Sequence, residues 1–107
     1  MAAQSTVIKN IEKVVSEIKS SGIHLQKVIL FGSYAKNTQH KWSDVDLALV
    51  ADEFKGIGFY DVGLFSKILI KYPSLLIQPR TYHPAQFTPS KDPFVKEILR
   101  TGIEIKL

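Results

Sequence analysis

Cysteine is absent from the 107 residues, which excludes disulfides, thiolate zinc sites and a cysteine nucleophile together. Long apolar runs are missing as well. None approaches the ~20 residues of a membrane-spanning helix, and the opening MAAQSTVIKN has no apolar stretch of the signal-peptide kind. Blocks of like charge are missing too: 14 Lys and Arg and 10 Asp and Glu are spread along the chain and leave a formal charge of +4. So small and dispersed an excess suits an anionic ligand such as a nucleotide, not a sequence-independent grip on nucleic acid. There are no repeats, low-complexity tracts or linkers. What remains is an ordinary globular mix, 45% apolar and 22% charged, at a length that predicts one domain over 1–107 and a cytoplasmic location.

Val7, Ile8, Ile11, Val14, Val15 and Ile18 recur at three- and four-residue spacing, which predicts a helix over 5–21 with Gly22 as its stop. KVILF, within 24–31, predicts a buried strand ending at Gly32, and residues 33–36 a short helical turn. VDLALV (45–50) predicts a second strand with carboxylates only at its start. The pattern over 57–72 predicts one long helix with Val62, Phe65, Ile68, Leu69 and Tyr72 on its core face and Pro73 as its end. Residues 75–78 predict a third strand, closed by Pro79. Asp92 as N-cap and Pro93 in the first helical position open a last helix that stops at Thr101 and Gly102. GIEIKL then alternates as a terminal edge strand. This order predicts an α+β fold, a mixed β-sheet of about four strands with helices packed on it.

The chemistry is concentrated in VILFGSYAKNTQHKWSDVDLALV (28–50). A strand runs into Gly32-Ser33, and Asp44 and Asp46 follow at the start of the next strand. Strand side chains alternate, so the two carboxylates point to one face while Val45 and Leu47 point to the core. Adjacent carboxylates repel unless a divalent cation lies between them, and hard oxygen ligands suit magnesium. Gly32 allows close backbone approach to a ligand, Ser33 can donate its hydroxyl, and the turn they open directs free N–H groups at a phosphate. An Asp-x-Asp pair alone arises by chance in roughly a quarter of chains this long. The spaced Gly-Ser and the apolar strand around the pair make the combination far more specific.

This segment resembles the signature of the polymerase-beta-type nucleotidyltransferases: a hydrophobic residue, Gly-Ser, a spacer, then Asp-hydrophobic-Asp. GSYAKN…SDVDLALV is most similar to the minimal nucleotidyltransferase (MNT) branch, which consists of stand-alone domains of about this length. The resemblance implies the nucleotidyltransferase fold, with Gly32 and Ser33 on the triphosphate of ATP and Asp44 and Asp46 on a two-metal magnesium site; Lys36, one turn into the short helix, either reaches a phosphate or is a solvated surface lysine. The implied reaction is transfer of a nucleoside monophosphate, AMP from ATP, to a hydroxyl on a protein partner. It also implies a helical HEPN-type partner and the antitoxin role in a toxin-antitoxin pair. The sequence departs from the family pattern at Asn37, where Gly is usual, and at Gln78, where a third carboxylate is expected as metal ligand and proton acceptor. Gln78 keeps an amide oxygen but no charge. The alternatives are a slow enzyme, another group in that role, or a nucleotide-binding module that neutralises its partner by binding alone. Asp61, on the preceding helix, is a poor substitute.

Arg80 follows the third strand and is a candidate for lining the cleft. Trp42 either stacks on a base or pins its loop. His24, His40 and His83 have no metal spacing and read as loop or surface. Phe59 and Tyr60 exceed what a core face needs and are either partner contacts or first-turn packing. Since one sheet and its helices use the chain from Ser5 to Leu107, the wall covering the base is expected from another chain, a second copy or the helical partner.

Overall fold

The computed structural model describes residues 4–40 and 43–107. Trp42 lies outside the described residues.

Helix α1 (Gln4–Ser20) buries Val7, Ile11, Val14, Val15 and Ile18, the apolar stripe of the sequence, and Gly22 follows it with φ of 99°. Strands β1 (Leu25–Phe31), β2 (Val45–Ala51), β3 (Ile77–Tyr82) and β4 (Ile103–Glu104) form a four-stranded sheet in the order β3-β2-β1-β4. β1 is antiparallel to β2 and β4, and β3 is parallel to β2, so the sheet is mixed. One face carries Val28, Leu30, Val45, Leu47 and Leu49 against α1 and the segment around Phe54 and Phe65. The other carries Ile29, Ala48, Val50 and Tyr82 against Val95 and Ile98 of α4 (Pro93–Thr101). As the sequence predicts, Asp92 caps α4, accepting the Phe94 N–H at 2.9 Å, with Pro93 in the first helical position. The terminal strand is shorter than predicted, although Ile105 N–H still donates to the Val28 carbonyl at 2.8 Å.

The single helix predicted over 57–72 is instead two short ones, α2 (Gly58–Gly63) and α3 (Ser66–Ile70). Between them the Leu64 and Phe65 amides bond back three residues, to the carbonyls of Asp61 and Val62, and Phe65 adopts φ of −138°. The break turns Phe65 fully inward, its ring 5.7 Å from that of Phe54. The Asp61 carboxylate is completely buried and accepts Lys55 N–H at 2.9 Å, Gly56 N–H at 2.8 Å and the Thr81 hydroxyl at 2.8 Å. Asp61 therefore ties the loop after β2 and the start of α2 to β3. Leaving the buried Thr81 hydroxyl unpaired costs about 1–3 kcal/mol, and the two part-buried amides of Lys55 and Gly56 add less because water can reach them. Asp61→Ala is thus expected to lose about 3 kcal/mol of stability in urea titrations.

Pro79 does not close β3, as the sequence suggested; the strand runs through it to Tyr82. Val45 N–H donates to the Leu76 carbonyl at 2.8 Å, which sets the ladder so that Gln78, Arg80 and Tyr82 turn their backbone groups toward β2. Pro79 points its nitrogen to the open edge, where no ladder bond is lost.

Candidate active site

Asp46 is the centre of a row across the sheet. It pairs with Phe31 on β1 and with Gln78 on β3, and residues paired across strands project from the same face. Asp44 stands exposed one residue ahead of β2. Burial first, and then the Asp44 charge, push the Asp46 carboxyl above the usual carboxylate range. No described residue donates a hydrogen bond to either carboxylate, so among the described residues nothing relieves their repulsion. An all-oxygen pair of this kind fits a divalent cation such as magnesium, and the Gln78 amide is the nearest further oxygen donor in register. Among the described residues no cluster of three or more His, Cys, Asp or Glu assembles.

Gly32 adjoins this row from β1. Its φ is 73°, and a Cβ there would overlap the Asp46 carboxylate, reaching 3.1 Å from Cγ. Only glycine lets the backbone lie against Asp46. The following segment, predicted as a helical turn over 33–36, is a single hydrogen-bonded turn: Lys36 N–H donates to the Gly32 carbonyl at 3.1 Å. It closes with Asn37 N–H on the Tyr34 carbonyl (3.3 Å) and Thr38 N–H on the Ser33 carbonyl (2.9 Å), Asn37 taking φ of 56°. This is a Schellman closure with Asn in the left-handed position where the family pattern has Gly. The amides of Ser33, Tyr34 and Ala35 have no acceptor among the described residues, and the half-buried Ser33 hydroxyl donates to none. Gln4 Nε2 on the Tyr34 carbonyl at 2.6 Å anchors the turn to α1.

The structure therefore brings Gly32, Asp46 and Gln78 together and sets Ser33 and Asp44 directly beside them in the chain. Lys36 is exposed, and its charge contributes to holding Glu97 of α4 below the usual range, after the dominant hydrogen bond from Arg100. Arg80 lies two residues beyond Gln78 on the same face, paired with Ala48. Its guanidinium is 4.4 Å from the ring centroid of Phe94, and its Nε donates to the Tyr82 hydroxyl at 2.8 Å. Phe94 meets Phe31 edge to face at 5.7 Å. Sequence reasoning missed both phenylalanines. Phe31, immediately ahead of Gly32, was recoverable from strand alternation; Phe94 was not, because α4 has to be docked first. Asp61 is fully engaged with the backbone and Thr81, away from metal duty. His24 pairs with Glu53, and His83 Nδ1 accepts Ala85 N–H to cap the turn Pro84–Gln86. Phe59 is 88% exposed, and the exposed Tyr60 ring carries Lys55 Nζ at 4.5 Å from its centroid, so neither packs on the sheet.

A mixed sheet with a glycine turn abutting an Asp-x-Asp pair defines a class of protein, and the nucleotidyltransferase domain model matches residues 8–104. The chain belongs to the nucleotidyltransferase domain family, a family of transferases. Among its relatives is a Methanocaldococcus jannaschii protein named "Putative protein adenylyltransferase MJ0141", 31% identical over 101 residues, covering 92% of this chain and 95% of the relative. The protein adenylyltransferase MntA of Shewanella oneidensis is 40% identical over 42 residues, 39% of this chain and 30% of its own length. A Sulfolobus solfataricus crystal structure, described as that of "a putative nucleotidyltransferase", shares the fold with a TM-score of 0.67 at 19% identity, over 95% of this chain and 81% of that one. No helix among the described residues is long and apolar enough to cross a membrane.

Proposed function

We propose that this chain transfers AMP from ATP to a hydroxyl on a protein. One observation carries the reading: three amides without acceptors among the described residues, Ser33 to Ala35, open from a glycine whose backbone lies against one of two carboxylates that accept no hydrogen bond from a described residue. The amides and the Ser33 hydroxyl suit phosphate oxygens, and Asp44 and Asp46 suit the cation that accompanies them. Magnesium held there would neutralise charge developing on the phosphates. In the transfer, the acceptor oxygen bonds to the α-phosphorus, the bond to the bridging oxygen breaks, pyrophosphate leaves with the electron pair, and the hydroxyl proton passes to water. The chain's residues bind, orient and leave the reacting phosphorus accessible from one side. The adenylyltransferase names of the relatives support ATP and a protein acceptor. The MNT resemblance supports a helical HEPN-type partner, or a second copy, as the covering wall, and the antitoxin role as the setting.

A second reading, a module that binds nucleotide and neutralises its partner without turnover, draws on Gln78, which stands beside Asp46 with no charge to offer. Titration calorimetry tests the shared part. Wild type is expected to bind ATP only with magnesium present, and Asp44→Asn/Asp46→Asn to lose that dependence. Unchanged magnesium-dependent affinity in the double variant would overturn the site assignment. Mass spectrometry of a co-purified partner after incubation with ATP and magnesium separates the two readings, since only transfer adds the mass of AMP.

A further inference from the structure

We propose that the cavity along the open edge of β3 receives the acceptor polypeptide, and that Arg80 and Lys91 select a segment with an acidic side chain near its hydroxyl. The inference rests on the transfer reading above and names the acceptor's side of it. Displacement at phosphorus is in line, so the attacking oxygen and the leaving pyrophosphate lie on opposite sides of the reacting atom. With the phosphates on the Gly32-Ser33 turn after β1 and Asp46 in β2, pyrophosphate leaves over β1 and the hydroxyl arrives from the β3 side.

On that side, beginning one residue beyond Gln78, is a cavity of about 760 Å³ bordered by β3 from Pro79 to Tyr82, by Gly56 and by Lys91. Its size is that of a pocket for a ligand or a short chain segment. The edge offers the carbonyl of Pro79 and the amide and carbonyl of Thr81, outward-facing by the ladder register and without partners among the described residues. Pro79 prevents a full added strand and limits the match to a short extended stretch.

The charge of the cavity is uneven. Arg80 is clamped between the Phe94 ring and the Tyr82 hydroxyl and pairs with no carboxylate among the described residues. Lys91 Nζ donates to the Ala85 carbonyl at 3.4 Å and pairs with no carboxylate among the described residues. The one acid in the lining, Asp92, is committed to capping α4, and Asp61 behind it is spent on Lys55, Gly56 and Thr81. An unpaired cation held over an aromatic ring on the face of the reacting row is available to an anion, and a protein acceptor supplies one as Asp or Glu.

The probe is a fluorescein-labelled random copolymer of glutamate and tyrosine, read by anisotropy, with a lysine-tyrosine copolymer as comparison. Wild type is expected to prefer the acidic polymer. Arg80→Gln/Lys91→Gln should weaken that binding by about tenfold, while Lys9→Gln/Lys13→Gln, exposed on α1 across the sheet, should leave it within about twofold. Saturating ATP with magnesium should not displace the polymer. Three results would each overturn the proposal: no preference in wild type, equal loss in both double variants, or competitive displacement by ATP, which would assign Arg80 to the nucleotide instead. ATP affinity measured on the same preparations reports on folding and, separately, on the transfer reading. If the double variant does not fold, Lys91→Gln alone, an exposed change, must still weaken the acidic polymer for the proposal to stand.

Discussion

Asp46→Asn is expected to lower nucleotide transfer by about two decades or more and to raise the Tm at neutral pH. The first effect follows from losing one of two charged groups that suit the cation, whose contribution to transition-state charge is several kcal/mol, each 1.36 of which is about tenfold. The second follows from the position of Asp46. Its carboxyl titrates above the ordinary range because it is half-buried and lies near Asp44. The folded state thus holds this proton more tightly than the unfolded chain does. Stability is penalised as pH rises through the unfolded and then the folded titration range, and the penalty is complete above both. Wild type and Asp46→Asn should therefore converge at about pH 3, below the carboxylate range, and separate above it with the variant higher. Magnesium should narrow the gap by stabilising wild type alone. Thermal scans across pH, with and without magnesium, check each part; a variant less stable than wild type at neutral pH would show that Asp46 is held by favourable contacts instead.

Gln78→Glu should raise turnover by about one to two decades. β3 sets this residue beside Asp46 on the same face, exposed, so a carboxylate fits without displacing core atoms. It would add a charged oxygen for the cation and an acceptor for the hydroxyl proton, and a positioned base is typically worth about 10²–10⁴-fold. The lower expectation reflects the extra repulsion a third carboxylate brings to a crowded pair. The assay is transfer of labelled AMP to the co-purifying acceptor. High wild-type activity that Gln78→Glu abolishes would show that the amide is required as it stands.

Local chemistry made much of this molecule legible. α1 follows its apolar spacing, β2 its continuous apolar run, and the start of α4 its Asp-Pro signal. The Gly32-Ser33 turn and its two aspartates were legible because each residue there answers a local demand: positive φ, short polar side chains, alternation. What escaped depended on partners distant in sequence. The break at Leu64 and Phe65 accompanies the packing of Phe65 on Phe54, and Asp61 reaches Thr81, 20 residues ahead. The length of β3 depended on which edge of the strand Pro79 would face, and that was set only once β2 was beside it. The Arg80–Phe94–Phe31 contacts join three elements, and no spacing rule encodes them.

The two ends of the sheet have a consequence for how copies of this chain meet. On one side β4 offers only two residues to a neighbour, and on the other Pro79 removes a donor from the middle of the exposed strand. Both borders are thus poor templates for another chain's strand, which protects the sheet from runaway edge-to-edge polymerisation while it is crowded or newly made. Any extended assembly of copies has to be built through side chains on the faces and helices, where recognition can be specific, since backbone pairing at these borders reaches no further than a short stretch beside Pro79.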